Sequence, residues 1–127
     1  MDPWLEEEVE QAGKVLEKGG TVIYPTETAY GIAADALNPE ALEKIYELKK
    51  RPRSKGLTVI VHDLKMAEGY AELSGEERKL VEELMPGPIT LVTEKRDTVP
   101  DILNEKFVFR ISPGEVASEL SRNGPIT

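Results

Sequence analysis

Two stretches of this sequence carry residue types that could bind or transform a small anionic molecule. The first is residues 19–32, GGTVIYPTETAYGI, in which strand-forming residues lead into Pro25, small hydroxyls, one carboxylate and a tyrosine. Ligand sites in open α/β sheets gather where strands end, so this segment is a candidate site. The same residues also fit an ordinary turn between two strands, in which Thr26 and Thr28 cap backbone groups.

The second stretch, which we call the basic loop, is residues 49–55, where five cations lie within seven residues: Lys49, Lys50, Arg51, Arg53 and Lys55. In a chain with a formal net charge of -8, this local reversal of charge favours binding of phosphate or carboxylate. Basic side chains at a helix C-terminus also favour the helix dipole and can lie in water without a ligand. Pro52 stiffens the loop and Gly56 leads directly into a buried strand, which favours the anion-binding interpretation.

Three further side chains could complete a site. His62 follows the predicted strand 57–61, at the opposite end from the basic loop, and a lone histidine is more often a surface or capping residue than a base. Thr90 begins a strand after the MPGPIT turn, which is also typical of a plain helix-to-strand connection. Arg110 lies inside an apolar strand and needs an anionic partner or a solvent-facing side, because an unpaired buried guanidinium is costly.

The composition excludes several function classes. The 127 residues contain no cysteine and one histidine, which excludes thiolate sites and mechanisms that need two histidines. No apolar run reaches the roughly 20 residues of a membrane helix, and the acidic N-terminus argues against a signal peptide, so we expect a cytoplasmic protein that is not in a membrane. The acidic net charge argues against broad electrostatic binding of nucleic acid. The GxxxxGK[ST], GxGxxG and HExxH motifs of common nucleotide and zinc sites are absent from the sequence.

Apolar periodicity and punctuation by glycine and proline predict an alternation of helices and strands. Helices are predicted over 5–18, 39–50, 64–70, 74–85 and 115–122, and strands over 21–24, 57–61, 89–94 and 107–111. A second short apolar run covers 32–34. The buried stripe of the second helix is predicted to contain Ala41, Leu42, Ile45 and Leu48. Residues 124–127 are expected to begin a further strand, and a domain seldom ends there, so we expect the sequence to be C-terminally incomplete. The pattern favours a three-layer α/β domain.

Four motifs, in order, resemble the YrdC-type threonylcarbamoyl-AMP synthase family: YPTETAYGI at 24–32, IYELKKRPRSKGL at 45–57, MPGPIT at 85–90 and FVFRISP at 107–113. The agreement in order and spacing runs from about Lys14 to the last residue. The resemblance implies a YrdC/RibB-like single α/β domain, in which a twisted open mixed sheet flanked by helices surrounds a deep, positively lined cavity. It also implies that residues 1–127 form a YrdC-like domain lacking the serine and asparagine motif that follows in the family.

The resemblance further implies a nucleotidyltransferase. The family joins L-threonine, bicarbonate and ATP into L-threonylcarbamoyladenylate and releases pyrophosphate, normally with magnesium. The adenylate then supplies the group that modifies adenosine 37 of tRNA, so the expected partners are these substrates and, in addition, tRNA or tRNA-modification proteins.

By the resemblance, Thr26, Thr28, Tyr30, His62 and Thr90 line the threonine and carbamate part of the pocket. ATP binding is assigned to Lys49, Arg51, Lys55 and Arg110, with Lys49 and Arg51 as the catalytic pair and no metal held by the protein. The reaction needs no strong protein nucleophile, so positioning and cations can supply most of the catalysis. A general base is not evident in the sequence, and substrate or bound water could fill that role.

Two other functions fit the same residues. The cationic cavity could serve a module that binds double-stranded RNA or tRNA, although the acidic total charge counts against it. The domain could also be a paralogue with another carbamoyl chemistry, as in the YrdC-like domain of hydrogenase maturation proteins, and substrate tests would separate the two.

Overall fold

The computed structural model describes residues 2–26 and 29–127, and this part of the chain alternates helices with strands. The α-helices are α1 (Pro3–Glu17), α2 (Pro39–Lys49), α3 (Leu64–Glu68), α4 (Gly75–Leu84) and α5 (Glu115–Leu120), with a short 3₁₀ turn at Arg53–Lys55. The strands are β1 (Val22–Pro25), β2 (Tyr30–Ala33), β3 (Val59–Val61), β4 (Ala71–Glu72), β5 (Leu91–Lys95) and β6 (Phe107–Ile111). Among the described helices, none has the length and apolar character that a membrane crossing requires.

The strands form a two-stranded and a four-stranded sheet. The first pairs β1 with β2 in antiparallel fashion, and the second has the order β3, β6, β5, β4. Strand β3 is parallel to β6, with Ile60 opposite Arg110, whereas β5 is antiparallel to both of its neighbours. The predicted open, mixed sheet flanked by helices is therefore confirmed.

Residues 125–127, which we call the bridging segment, join the two sheets. The Ile126 carbonyl accepts from the Ile60 N–H at 2.7 Å, and the Ile126 N–H donates to the Ile60 carbonyl at 3.1 Å. On its other side the segment accepts from the Ala36 N–H at 3.0 Å and donates to the Ala34 carbonyl at 3.1 Å. Both pairings are antiparallel, so the predicted start of a further strand is confirmed.

Two apolar clusters cover the two faces of the sheet. One contains the buried residues of α2, α3 and α4 together with Val59 and Val61 of β3. The other contains buried residues of α1 and α5 together with Ile60 and Ile126. Successive residues of β3 thus face opposite clusters, as the period of a strand requires, and the predicted three layers are present.

Local capping signals correctly locate the starts of two helices. The Asn38 side chain accepts hydrogen bonds from the backbone N–H groups of Glu40 at 3.0 Å and Ala41 at 3.3 Å. At α4, Ser74 accepts from the Glu77 N–H at 3.1 Å while the Glu77 carboxylate accepts from the Ser74 N–H at 2.9 Å. Such reciprocal bonds satisfy donors that the first helical turn leaves unpaired.

The predicted buried stripe of α2 is wrong at one position. Leu48 is 59% exposed, and Tyr46 is buried instead. The buried face of α2 consists of Ala41, Leu42, Ile45 and Tyr46. At 100° per residue, Leu48 lies just outside this face of the helix. The Tyr46 hydroxyl tolerates burial because it donates to a backbone carbonyl, that of residue 102, at 2.7 Å.

The bridging segment predicts a test of sheet assembly. Ile126 is 2% exposed, so Ile126→Ala should lower the free energy of unfolding by about 2–4 kcal/mol, the usual cost of truncating a buried isoleucine. Urea denaturation would measure it. The matched control is Ile23→Ala on β1, which is 70% exposed and should change the free energy by less than about 0.5 kcal/mol. Equal effects of the two substitutions would contradict the role given to Ile126.

Candidate functional site

A cavity of about 480 Å³ lies on the α5 side of the sheet. The end of β1, the turn before β5, the C-terminal end of β6 and the first turn of α5 form its walls. The residues that line it include Tyr24, Thr26, Gly87, Arg110, Ser112 and Val116. A few polar groups set among apolar walls are typical of small-molecule sites, so this cavity is the candidate functional site.

Arg110 is the one cation among the described residues that line this cavity. It lies opposite Ile60 in the parallel ladder, and opposite residues share a face, so its side chain leaves the sheet on the α5 side. Its Nε atom is buried and makes no hydrogen bond within the described part of the chain. A buried donor without an acceptor is costly, and an anionic ligand would satisfy it.

Tyr24 is a further polar residue that lines the cavity, and it is not among the predicted site residues. Its side chain is 6% exposed and lies against Gly31, its direct partner on β2. Burial raises the pKa of the Tyr24 hydroxyl above its ordinary value of 10.0, and the positive charge of Arg110 opposes part of that rise. The phenol is therefore protonated at neutral pH and can donate a hydrogen bond.

The predicted residues of the first motif are placed differently from one another. Thr26 reaches the cavity, but its hydroxyl donates to the Ala29 carbonyl at 2.9 Å and accepts from the Ala29 N–H at 3.1 Å. This is the turn alternative that the sequence also allowed. Thr28 lies outside the described residues. Tyr30 is 78% exposed and leaves the hairpin on the face opposite to Tyr24, because facing sides alternate along a strand.

His62 and Thr90 are not among the described lining residues of the cavity. The His62 Nδ1 atom lies 2.9 Å from the Ser118 carbonyl on α5. Because a carbonyl only accepts, Nδ1 carries the hydrogen, and in the neutral ring Nε2 is left as an acceptor. Thr90 is exposed, whereas Gly87 and Pro88 of the same turn do line the cavity. The proximity of His62 and Thr90 to threonine stays a prediction.

The basic loop lies at the N-terminal end of β3, with His62 at the other end of that strand, as predicted. Its side chains Lys49, Arg51 and Lys55 are exposed. Arg51 also fixes the loop, because its Nε donates to the Gly56 carbonyl at 2.7 Å. Among the described lining residues of the cavity, none comes from the basic loop. The structure thus places Thr26 and Arg110 at one cavity and leaves the three loop cations apart from it.

A larger cavity, of about 530 Å³, lies between α1 and α5 beside the bridging segment. Its lining includes the carboxylates of Glu6, Glu10 and Glu17. Carboxylates outnumber the cations Lys14 and Arg122 in this lining, whereas the smaller cavity has one of each, Glu115 and Arg110. Because excess carboxylates repel anions, we assign the candidate site to the smaller cavity.

The model of the Sua5/YciO/YrdC family, described as telomere recombination, matches residues 14–127. The chain belongs to this family. Among related proteins, one from Methanocaldococcus jannaschii is 36% identical over 120 residues, which cover 88% of this chain and 58% of that protein. The threonylcarbamoyl-AMP synthase of Photobacterium profundum is 33% identical over 102 residues, 78% of this chain and 55% of that protein. The chain thus spans little more than half the length of these relatives.

Solved structures of family members have the same fold. Sua5 of Pyrococcus abyssi complexed with L-threonine has a TM-score of 0.88 at 31% identity, over 95% of this chain and 37% of that one. Escherichia coli YciO has a TM-score of 0.83 at 22% identity, over 95% of this chain and 62% of that one, which shows the fold alone. The predicted YrdC-like fold is therefore confirmed.

The unpaired Nε of Arg110 leads to a stability prediction. Arg110→Met keeps the approximate length of the side chain but removes a charge that has no acceptor at Nε among the described residues. The free energy of unfolding should then stay within about 1 kcal/mol of wild type or rise.

The matched control is Lys95→Met, at a cation that the protein does use: its Nζ contacts Asp101 at 2.6 Å and the Val99 carbonyl at 3.3 Å. This substitution should destabilise the protein more in urea denaturation, because the Val99 carbonyl loses its donor. A larger loss for Arg110→Met than for Lys95→Met would show that Arg110 is a structural residue.

Proposed function

We propose that this chain acts as a threonylcarbamoyl-AMP synthase, which forms L-threonylcarbamoyladenylate and pyrophosphate from L-threonine, bicarbonate and ATP. The observation that carries the proposal is the similarity to Sua5 complexed with L-threonine, at a TM-score of 0.88 over 95% of this chain. The cavity suits such substrates, because a guanidinium and a protonated phenol complement a carboxylate or a phosphate. The product would serve the modification of tRNA adenosine 37 in the cytoplasm.

The proposed reaction has two steps and needs no protein nucleophile. The threonine amine attacks the carbon of bicarbonate, and loss of water leaves a carbamate. A carbamate oxygen then attacks the α-phosphorus of ATP, the bond to the β-phosphate breaks, and pyrophosphate leaves. The protein accelerates such a sequence by holding the reactants in line and by neutralising the charge of the phosphates.

The proposed roles divide between the cavity and the basic loop. Arg110 in the cavity binds an anionic group of the substrates, and its partly buried position strengthens that attraction over the same contact in water. The exposed side chains of Lys49, Arg51 and Lys55 are accessible to a triphosphate. The Nε2 atom of His62 can accept a hydrogen bond from bound threonine.

The described residues contain no group of three or more His, Asp or Glu side chains that could hold a metal ion such as magnesium. Magnesium in nucleotide-using enzymes is commonly held through substrate phosphates and water, with one or two carboxylates at most. The proposed reaction therefore assigns no step to a metal ion held by the side chains of this protein.

The activity can be tested by mixing the purified protein with ATP, L-threonine and bicarbonate. Pyrophosphate release should depend on all three, and the adenylate should be detectable by mass spectrometry. Arg51→Ala should reduce turnover at least about 100-fold if Arg51 stabilises phosphate charge in the transition state.

Arg78→Ala is the control for Arg51→Ala, since Arg78 lies on α4 and makes one exposed ion pair with Glu68 at 3.4 Å. It should turn over like wild type. Folding of Arg51→Ala is checked by circular dichroism, because the lost bond to Gly56 could loosen the loop. A folded wild type that releases no threonine-dependent pyrophosphate would exclude the proposed activity.

Direct tRNA binding is a second candidate function, which the exposed cations of the basic loop favour. The net charge of -8 opposes it, so contacts would be confined to that loop. Affinity for tRNA should then fall steeply with salt, and a Lys49→Ala, Lys55→Ala double variant should show a smaller slope, by roughly two phosphate contacts. Binding that is absent, or that does not respond to salt, would exclude this function.

A further inference from the structure

Two tyrosines are buried in the described part of the chain, and their hydroxyls are used differently. Tyr46 is 2% exposed, and its hydroxyl donates to the carbonyls of Ile102 at 2.7 Å and Leu103 at 3.3 Å. Tyr24 is 6% exposed, and its hydroxyl makes no hydrogen bond within the described residues. Because the Tyr24 side chain lines the cavity, its donor is available to a molecule bound there.

The absence of a side chain at Gly31 leaves room for the ring of Tyr24. The two residues are direct partners in the β1–β2 hairpin. A Cβ atom on Gly31 would lie 2.8 Å from Cζ and 2.9 Å from the hydroxyl oxygen of Tyr24, closer than real contacts allow. The ring therefore lies across β2 because residue 31 has no side chain, and any larger residue would displace the hydroxyl.

Arg110 supplies the charge beside this hydroxyl. Tyr24 and Ile60 belong to the same apolar cluster, and Arg110 is the ladder partner of Ile60, so the guanidinium leaves the four-stranded sheet on the side where the phenol of the two-stranded sheet lies. Each carries a hydrogen-bond donor for which the described residues supply no acceptor: the hydroxyl of Tyr24 and the buried Nε of Arg110. Two donors that converge on one cavity are complementary to an oxyanion.

We propose that Tyr24 is a substrate-binding residue, whose hydroxyl donates to the carboxylate or phosphate group that Arg110 binds, in a position that depends on Gly31. This inference rests on the proposed function for the identity of the substrates. The oxyanion is either the carboxylate of L-threonine or a phosphate of ATP, and binding each substrate alone distinguishes the two.

The experiment measures dissociation constants for L-threonine alone and for ATP alone by calorimetry, in wild type and in Tyr24→Phe. The substitution keeps the ring and removes the donor. Loss of one hydrogen bond to a charged group should weaken binding of one of the two substrates by about 10-fold or more. Gly31→Ala should weaken the same substrate, and adding Tyr24→Phe to it should cost little more, because both changes remove one interaction.

The matched control is Tyr46→Phe, which removes a buried hydroxyl bonded to backbone outside the cavity. It should lower the unfolding temperature and leave both affinities within about twofold, since it touches no cavity group. If Tyr24→Phe binds both substrates within twofold of wild type, or wild type binds neither, the inference is wrong. If wild type binds the substrates but releases no pyrophosphate, the proposed activity is excluded. The affinities of wild type and Tyr24→Phe would still decide whether Tyr24 contacts a substrate.

Discussion

The candidate cavity depends on the backbone pairing between the bridging segment and the two sheets. Tyr24 comes from the two-stranded sheet and Arg110 from the four-stranded one. Among the described residues, the backbone hydrogen bonds that link the two sheets are those of residues 125–127. Ile126 pairs with Ile60 on one side at 2.7 and 3.1 Å and lies in the apolar cluster that contains Tyr24. The relative position of the two donors of the cavity therefore depends on main-chain hydrogen bonds and apolar packing.

The two cavities described above differ in the charge of their lining residues. The chain carries a net charge of -8, yet the candidate site contains Arg110 and the basic loop places Lys49, Arg51 and Lys55 in solvent. The larger cavity is lined by several carboxylates instead. An anionic substrate is therefore repelled from most of the surface and attracted to a small part of it, which favours productive encounter.

The sequence predicts best what short-range chemistry determines. Capping at Asn38 and Ser74 and the apolar strand β6 follow from neighbouring residues, and all three are correct. The two-residue strand β4 carries too little pattern to be found, and the exposure of Leu48 depends on where α2 meets the sheet. At the site, Arg110 is predictable as a charge inside an apolar strand. Tyr24 is not, because its position depends on the cross-strand partner Gly31.

The position of the bridging segment also affects how the protein folds. Its contacts join residue 126 to residues 35 and 60, which are distant along the chain, so closing them costs conformational entropy before any apolar burial offsets it. The β1–β2 hairpin can form locally, but a two-stranded hairpin is marginally stable by itself. We therefore expect the walls of the cavity to come together only once these long-range contacts have formed. A substrate that contacts both walls would then bind the native state alone. Its binding would raise the free energy of unfolding by an amount set by the substrate concentration and the dissociation constant.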